Sequence, residues 1–257
     1  MITIKSEREL NLMRKAGAVV AQILEEMVEL TKPGISTGEL DRFAESRCKE
    51  LKVIPAFKGY HGFPASVCIS VNDEVVHGIP SMKRILKDGD IVGLDFGVIH
   101  EGWFGDSART VPVGKVSEAA RKLMDVTQES LNRGIQQCYE GKRVSDIGHA
   151  VQNYVEEFGY GVVREFVGHG IGRALHEEPQ VPNYGPKGKG MLLKVGMVLA
   201  IEPMINIGSH EVKVLQDGWT AVTADHSMSA HFEHTVAITP NGPEVMTCPT
   251  ATRKSWG

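Results

Sequence analysis

The chain is poor in cysteine, with only Cys48, Cys68, Cys138 and Cys248 among 257 residues, and no two of them stand in a C-x-x-C spacing. A chain this long does not need disulfides to make up for a small core, so reduced thiols in a cytoplasmic protein are expected. No apolar run is long enough to span a bilayer. The opening stretch from Ile2 to Met27 interleaves Lys5, Glu7, Arg8, Glu9, Arg14 and Lys15 with apolar residues and lacks the unbroken apolar core of a secretory signal. An excess of positive charge is also lacking. A formal net charge of −4 leaves no global basic footprint, which disfavours nucleic acid as the main partner. No low-complexity segment or linker divides the chain, and 42% hydrophobic with 23% charged residues is ordinary for a compact globular protein.

What the chain does have is an internal echo. Leu86-Lys87-Asp88-Gly89-Asp90-Ile91-Val92-Gly93-Leu94-Asp95 and Leu193-Lys194-Val195-Gly196-Met197-Val198-Leu199-Ala200-Ile201-Glu202 are each a polar glycine turn feeding an apolar run that ends on an acid, 107 residues apart. Pro33-Gly34 with Glu39-Leu40 answers Glu140-Gly141 with Asp146-Ile147 at the same offset. An acid in apolar company is costly unless it is paired or binds a metal, so the duplication marks a site. Apolar spacing predicts helices over 7–31, 37–51, 117–137 and 145–158, and strands over 66–71, 91–98, 108–113, 162–166, 197–201, 211–215, 220–223 and 231–238. Asp217-Gly218 signals a hairpin, and 182–190 reads as a surface loop. The expectation is one α+β catalytic domain over 1–257, duplicated as roughly 1–113 and 114–257.

Five residues carry the candidate chemistry. Asp95 and Asp106 are separated by the turn His100-Glu101-Gly102, which can bring them face to face. Glu202 lies in Ala200-Ile201-Glu202-Pro203-Met204 and Glu233 in Phe232-Glu233-His234-Thr235-Val236, both in strand-like surroundings. His169 lies among glycines in Gly168-His169-Gly170-Ile171-Gly172, whose alternation does not fit the G-x-G-x-x-G dinucleotide loop. Four carboxylates and an imidazole make an oxygen-rich site for two divalent ions, whose charge offsets the repulsion among the acids. His77 and His176 stand near these motifs in Val76-His77-Gly78-Ile79-Pro80 and Leu175-His176-Glu177-Glu178-Pro179.

Taken in order, these segments, with Ile201-Glu202-Pro203-Met204 and Glu233-His234-Thr235, make the whole chain resemble the type I methionine aminopeptidases in their minimal bacterial form. The resemblance implies the pita-bread fold, two pseudo-symmetric halves with a curved, mostly antiparallel sheet backed by helices. It implies that Asp106 and Glu233 bridge two metals, that Asp95 completes one site, and that His169 with Glu202 completes the other. Metal-activated water then attacks the scissile carbonyl, Glu202 moves the proton, His176 donates to the oxyanion or carbonyl, and His77 contacts the scissile nitrogen. The family's methionine pocket maps onto Tyr60, Phe63, Cys68, Phe166, Leu175 and Trp219. Phe57, Phe63 and Leu175 depart from the cysteine, tyrosine and phenylalanine often carried by bacterial relatives.

The activity so implied is removal of initiator methionine from nascent chains and peptides whose second residue is small. The metals fitting the donor set are Mn(II), Fe(II) or Co(II), with Zn(II) also compatible, and family members hold a monovalent cation on backbone carbonyls near Asn72, Glu74 and Ser229. A cytoplasmic monomer with transient ribosome contact and no membrane partner is expected. A proline-directed relative would carry an added N-terminal domain, which this length excludes. A non-catalytic pita-bread binding protein would have lost metal ligands.

Overall fold

A computed structural model describes residues 2–248, so the expected domain limits at 1 and 257 lie outside the described residues. Helix α1 (Glu7–Leu30) starts where Ser6 donates both its backbone N–H and its hydroxyl to the Glu9 carboxylate at 2.8 Å. Its buried stripe, Leu10, Met13, Val20, Ile23, Leu24 and Met27, follows the helical period. Helix α2 (Thr37–Leu51) uses the same device, Ser36 N–H to Glu39 and Glu39 N–H back to the Ser36 hydroxyl. Helices α3 (Glu118–Ile135) and α4 (Val144–Glu156) repeat the helix pair in the second half.

The strands are β1 (Ile54–Pro55), β2 (Val67–Val71), β3 (Glu74–Val76), β4 (Ile91–His100), β5 (Trp103–Pro112), β6 (Gly161–Val162), β7 (Gly168–Gly170), β8 (Glu177–Val181), β9 (Val198–Ile201), β10 (Met204–Asn206), β11 (Val212–Val214), β12 (Ala221–Thr223), β13 (Ser229–His231), β14 (His234–Thr239) and β15 (Gly242–Val245). All pairings among the described strands are antiparallel. One sheet runs β1-β4-β2 with β5 also on β4, and the other large sheet runs β15-β14-β9-β7-β8. Two three-stranded sheets, β13-β10-β6 and β11-β12-β3, flank them.

Three strand expectations need correction. The strand expected from 108 begins at Trp103, because Glu101 and Gly102 both take positive φ and close a tight hairpin that pairs β4 with β5 along their full length. Asp106 therefore lies inside a strand and not before one. The run expected over 231–238 is broken at Phe232-Glu233, where the chain leaves β10 and joins β9. Only Gly161–Val162 of the region around 162–166 is strand, paired to β10.

Contacts made in the first half recur 107 residues later. Gly34 N–H reaches Leu86 O at 2.8 Å and Gly141 N–H reaches Leu193 O at 3.1 Å. Thr37 N–H reaches Arg84 O, and Val144 N–H reaches Met191 O, both at 2.9 Å. The isolated bridges Ser36↔Ile85 and Arg143↔Leu192 keep the offset. Each half also has its own core. Ile23, Met27, Leu40, Leu94 and Phe96 fill the first, and Leu123, Leu131, Ile147, Val151 and Leu199 anchor the second.

The two halves meet where β5 runs beside the start of β14. Glu233 N–H donates to Ala108 O at 2.9 Å, and Ala108 N–H returns to Glu233 O at 3.4 Å. The Thr235 hydroxyl donates to Asp106 O at 2.7 Å and accepts Asp106 N–H at 3.1 Å. The Thr110 hydroxyl makes the same two-way contact with the His231 backbone, both legs at 2.9 Å. These are buried backbone groups that neither half could satisfy alone, so the seam is specified by hydrogen bonding as well as by packing.

Candidate active site

The seam is where the acids gather. Asp95 sits opposite Ala108 and Asp106 opposite Gly97, so the two aspartates are diagonal neighbours on one face of the β4–β5 ribbon. Because Ala108 also pairs with Glu233, that face continues into the second half. There His169 is paired with Ala200, two residues before Glu202, which places imidazole and carboxylate on a common face. Glu202 and Glu233 leave β9 and β14 side by side, next to the paired residues Ile201 and His234.

The glycines around His169 serve backbone packing. A Cβ on Gly168 would stand 2.3 Å from Ala200 O, and one on Gly170 would stand 2.2 Å from Glu178 O, so only glycine lets β7 lie between β9 and β8.

Ligand-type atoms of Asp106, His169 and Glu233, all three residues buried, lie within 4.8 Å of one another. Asp95 Oδ1, Asp106 Oδ1 and Glu233 Oε1 are buried without a hydrogen-bond partner among the described residues. Burial, reinforced by neighbouring acids, pushes the carboxyls of Asp95, Asp106 and Glu233 above their ordinary range, and burial raises Glu202. His169 Nδ1 faces Gly170 O at 2.8 Å. That carbonyl can only accept, so the ring proton sits on Nδ1 and a bare Nε2 faces Glu202 Oε1 at 3.5 Å. Burial depresses the His169 pKa to about 3, which keeps the imidazole neutral. Orphaned oxygens and a bare ring nitrogen aimed at one another are reconciled by cations, and the donor set is the one divalent ions take.

This cluster closes one end of a cavity of about 240 Å³, lined by Phe57, Tyr60, His61, Phe63, Cys68, His77, Asp95, Asp106, His169, Leu175, His176, Glu202, Trp219 and Glu233. All five expected ligands are brought together here, with both expected catalytic histidines. Of the expected pocket residues, Phe166 does not line the cavity. It stands behind His77, edge to face at 5.2 Å, because the chain at this point belongs to the small cluster around β3 and β10.

His77 holds a positive φ of 61°, and Gly78 follows where a Cβ would meet Ile69 O at 2.2 Å, so a strained turn pressed on β2 aims this ring. Burial, followed by repulsion from His231 and His176, lowers its pKa to about 4. His176 Nδ1 is 2.7 Å from the Tyr60 hydroxyl, and its ring lies edge to face with His169 at 4.3 Å. Asn72 and Ser229 meet at the edge of β3, where Ser229 N–H donates to Asn72 O at 2.8 Å.

Sequence reading missed two histidines. His61 lines the cavity beside Tyr60, and nothing in the local pattern marks it. His231 is buried with its Nε2 3.6 Å from Glu202 Oε2. Its one available signal was a position two residues before Glu233.

A buried carboxylate cluster with one bare imidazole nitrogen, at the end of an apolar cavity and on a duplicated antiparallel frame, defines a metal-dependent hydrolase site. Residues 11–240 match the model of metallopeptidase family M24, and the chain belongs to that family. It is 56% identical over 247 residues to methionine aminopeptidase 1 of Bacillus subtilis, covering 96% of this chain and 99% of that protein. The crystal structure of methionine aminopeptidase from Thermotoga maritima superposes with a TM-score of 0.95 at 47% identity, over 96% of this chain and all of that one. The prolidase of Pyrococcus horikoshii matches with a TM-score of 0.76 at 25% identity, and there the chain covers 63% of the longer protein. The α+β pita-bread architecture expected from the sequence is the one present. No helix among the described residues is long and apolar enough to cross a membrane.

Proposed function

We propose that this chain is a methionyl aminopeptidase that removes initiator methionine from nascent proteins and peptides whose second residue is small. The observation that carries the reading is the junction of a four-carboxylate, one-imidazole cluster with a largely apolar cavity of about 240 Å³. Asp106 and Glu233 would bridge two divalent ions, Asp95 would complete one site, and His169 with Glu202 the other. Bound there, Mn(II), Fe(II) or Co(II), with Zn(II) also compatible, would supply Lewis acidity and a water of lowered pKa.

The protein's own groups do the rest. Glu202, as the carboxylate that neighbouring cations would favour, would take a proton from the attacking water and return it to the leaving amine. With the Tyr60 hydroxyl, 2.7 Å from His176 Nδ1, as the donor of that pair, His176 Nε2–H would be the donor toward the developing oxyanion. His77, neutral and rigidly held, faces the scissile nitrogen. The rings of Phe63 and Trp219, 5.2 Å apart edge to face, with Tyr60, Leu175 and Cys68, receive an unbranched thioether through shape and sulfur–aromatic contact. Phe166 supports His77 from behind. Charged first residues would arrive desolvated and unpaired. The free α-amine at the Asp95 end excludes blocked termini.

The reading extends to one catalytic domain built from two repeats, to a cytoplasmic monomer in transient contact with the ribosome, and to a monovalent cation on carbonyls near Asn72, Glu74 and Ser229. A non-catalytic binding protein is not favoured, since all five ligand-type residues converge. Specificity constants on a Met-X-Ser series, with and without added metal, test the proposal. Ala at X should be cut and Lys largely refused. Equal rates for the two, or cleavage of N-acetyl-methionyl peptide as fast as the free one, would exclude it.

A further inference from the structure

The Glu202 carboxylate lies between two imidazoles, one facing each oxygen. His169 Nε2 stands 3.5 Å from Oε1 and His231 Nε2 stands 3.6 Å from Oε2. The two rings are not equivalent. His169 has its proton committed to Gly170 O and offers a lone pair. His231 makes no ring hydrogen bond among the described residues, its Nε2 is buried without a partner, and the residue is 3% exposed. Its backbone is clamped across the seam by Thr110 and paired with Met204 of β10, so the point from which the ring projects is fixed at the junction of the halves. A buried polar nitrogen aimed at a carboxylate oxygen is stabilised only as a donor. The remaining gap to hydrogen-bond length, about 0.6 Å, is within the reach of a small rotation of the Glu202 side chain.

We propose that His231 is a positioning residue that donates Nε2–H to Glu202 Oε2 and so leaves Oε1 as the oxygen presented to a metal beside His169. The inference rests on the reading of Glu202 and His169 as metal-holding groups. Partners that orient a metal-binding side chain typically change metal affinity by about 10–100-fold when removed.

The test uses the metal-free full chain titrated with Co(II), followed by calorimetry and by visible absorption, with no peptide present. His231→Leu should weaken Co(II) binding by about 10–100-fold. His231→Gln, which keeps an N–H donor of similar reach, should stay within about threefold of the parent and keep its visible bands. In a Glu202→Ala background, His231→Leu should add less than about a twofold further loss. Parent-like affinity in His231→Leu, or an undiminished effect in the Glu202→Ala background, would overturn the proposal. Altered visible bands in His231→Gln would also overturn it, by making His231 a ligand. If circular dichroism shows that His231→Leu does not fold, His231→Asn, too short to reach Oε2, takes its place with the same expected loss. Co(II) binding that survives Asp106→Ala unchanged would instead sink the metal reading itself.

Discussion

The two halves use one frame in two ways. In the first, β4 and β5 are ten-residue strands joined by the tight Glu101-Gly102 turn, and period-two alternation alone delivers Asp95 and Asp106 to one face. In the second, the corresponding neighbours β9 and β14 are parted by segment 203–232, which makes four further strand pairings before returning. That excursion carries Trp219 to the cavity wall and His231 to Glu202. A regular hairpin supplies ligands cheaply and legibly, whereas the opened one supplies a pocket.

The comparison is broken most severely by removing one acid from each half. Asp106→Ala and Glu233→Ala should each lower kcat/KM by at least about 10³-fold, some 4 kcal/mol of barrier, and both should lose metal in elemental analysis. Retention of activity within about tenfold in either would show that the halves do not share a bridged site.

Next in size come the histidines that stand off the acid cluster, one from each half. His77→Ala and His176→Ala should lower kcat by about 10²–10³ while metal content stays at the parent level. Metal lost in proportion to activity would place them among the ligands.

The third effect falls on stability. Lys5 is buried and donates to Glu177 at 2.7 Å, while the other Glu177 oxygen accepts the Arg173 N–H, so the N-terminal segment pins the loop that presents Leu175 and His176. Lys5→Met leaves Glu177 without its cation and should cost about 3 kcal/mol in urea unfolding. A loss under about 0.5 kcal/mol would mean that the loop is held from within its own half.

The smallest effect concerns pH. Asp95, Asp106, Glu202 and Glu233 have raised folded-state pKa values, so the metal-free fold binds more protons than the unfolded chain above the ordinary carboxylate range. Their contribution to stability is full below that range and falls as pH rises through the raised values. The metal-free parent should therefore lose several degrees of Tm between about pH 5 and pH 8, and Asp106→Asn should flatten that slope by about 1 kcal/mol. An equal slope in the two proteins would contradict the electrostatic account of the seam.

Much of the frame was legible before any coordinates. The four long helices followed from apolar spacing to within about two residues at each end, and the 107-residue echo named segments whose contacts, such as Gly34 to Leu86 and Gly141 to Leu193, turn out to repeat at that offset. The four clustered acids stood out because charge is rare inside apolar runs, and the imidazole because it lies among alternating glycines. The break at Phe232-Glu233 was not legible, since an apolar alternating run looks the same whether it stays on one neighbour or changes neighbours midway. Phe166, placed in the pocket by the resemblance, packs edge to face on His77 beside the small cluster around β3 and β10, a choice open to any aromatic residue that can join more than one apolar cluster.

By itself, then, the sequence marked the helices, most of the long strands, the 107-residue echo and a set of metal-type side chains, because periodicity and the cost of buried charge are local properties. Only the tertiary structure decided that Ala108 pairs with Glu233, that His231 faces Glu202, and that Tyr60 holds His176. Those contacts join residues more than a hundred positions apart or across a change of neighbour. No local pattern encodes them, and they exist only once two separately packed halves satisfy each other's buried backbone groups along one seam.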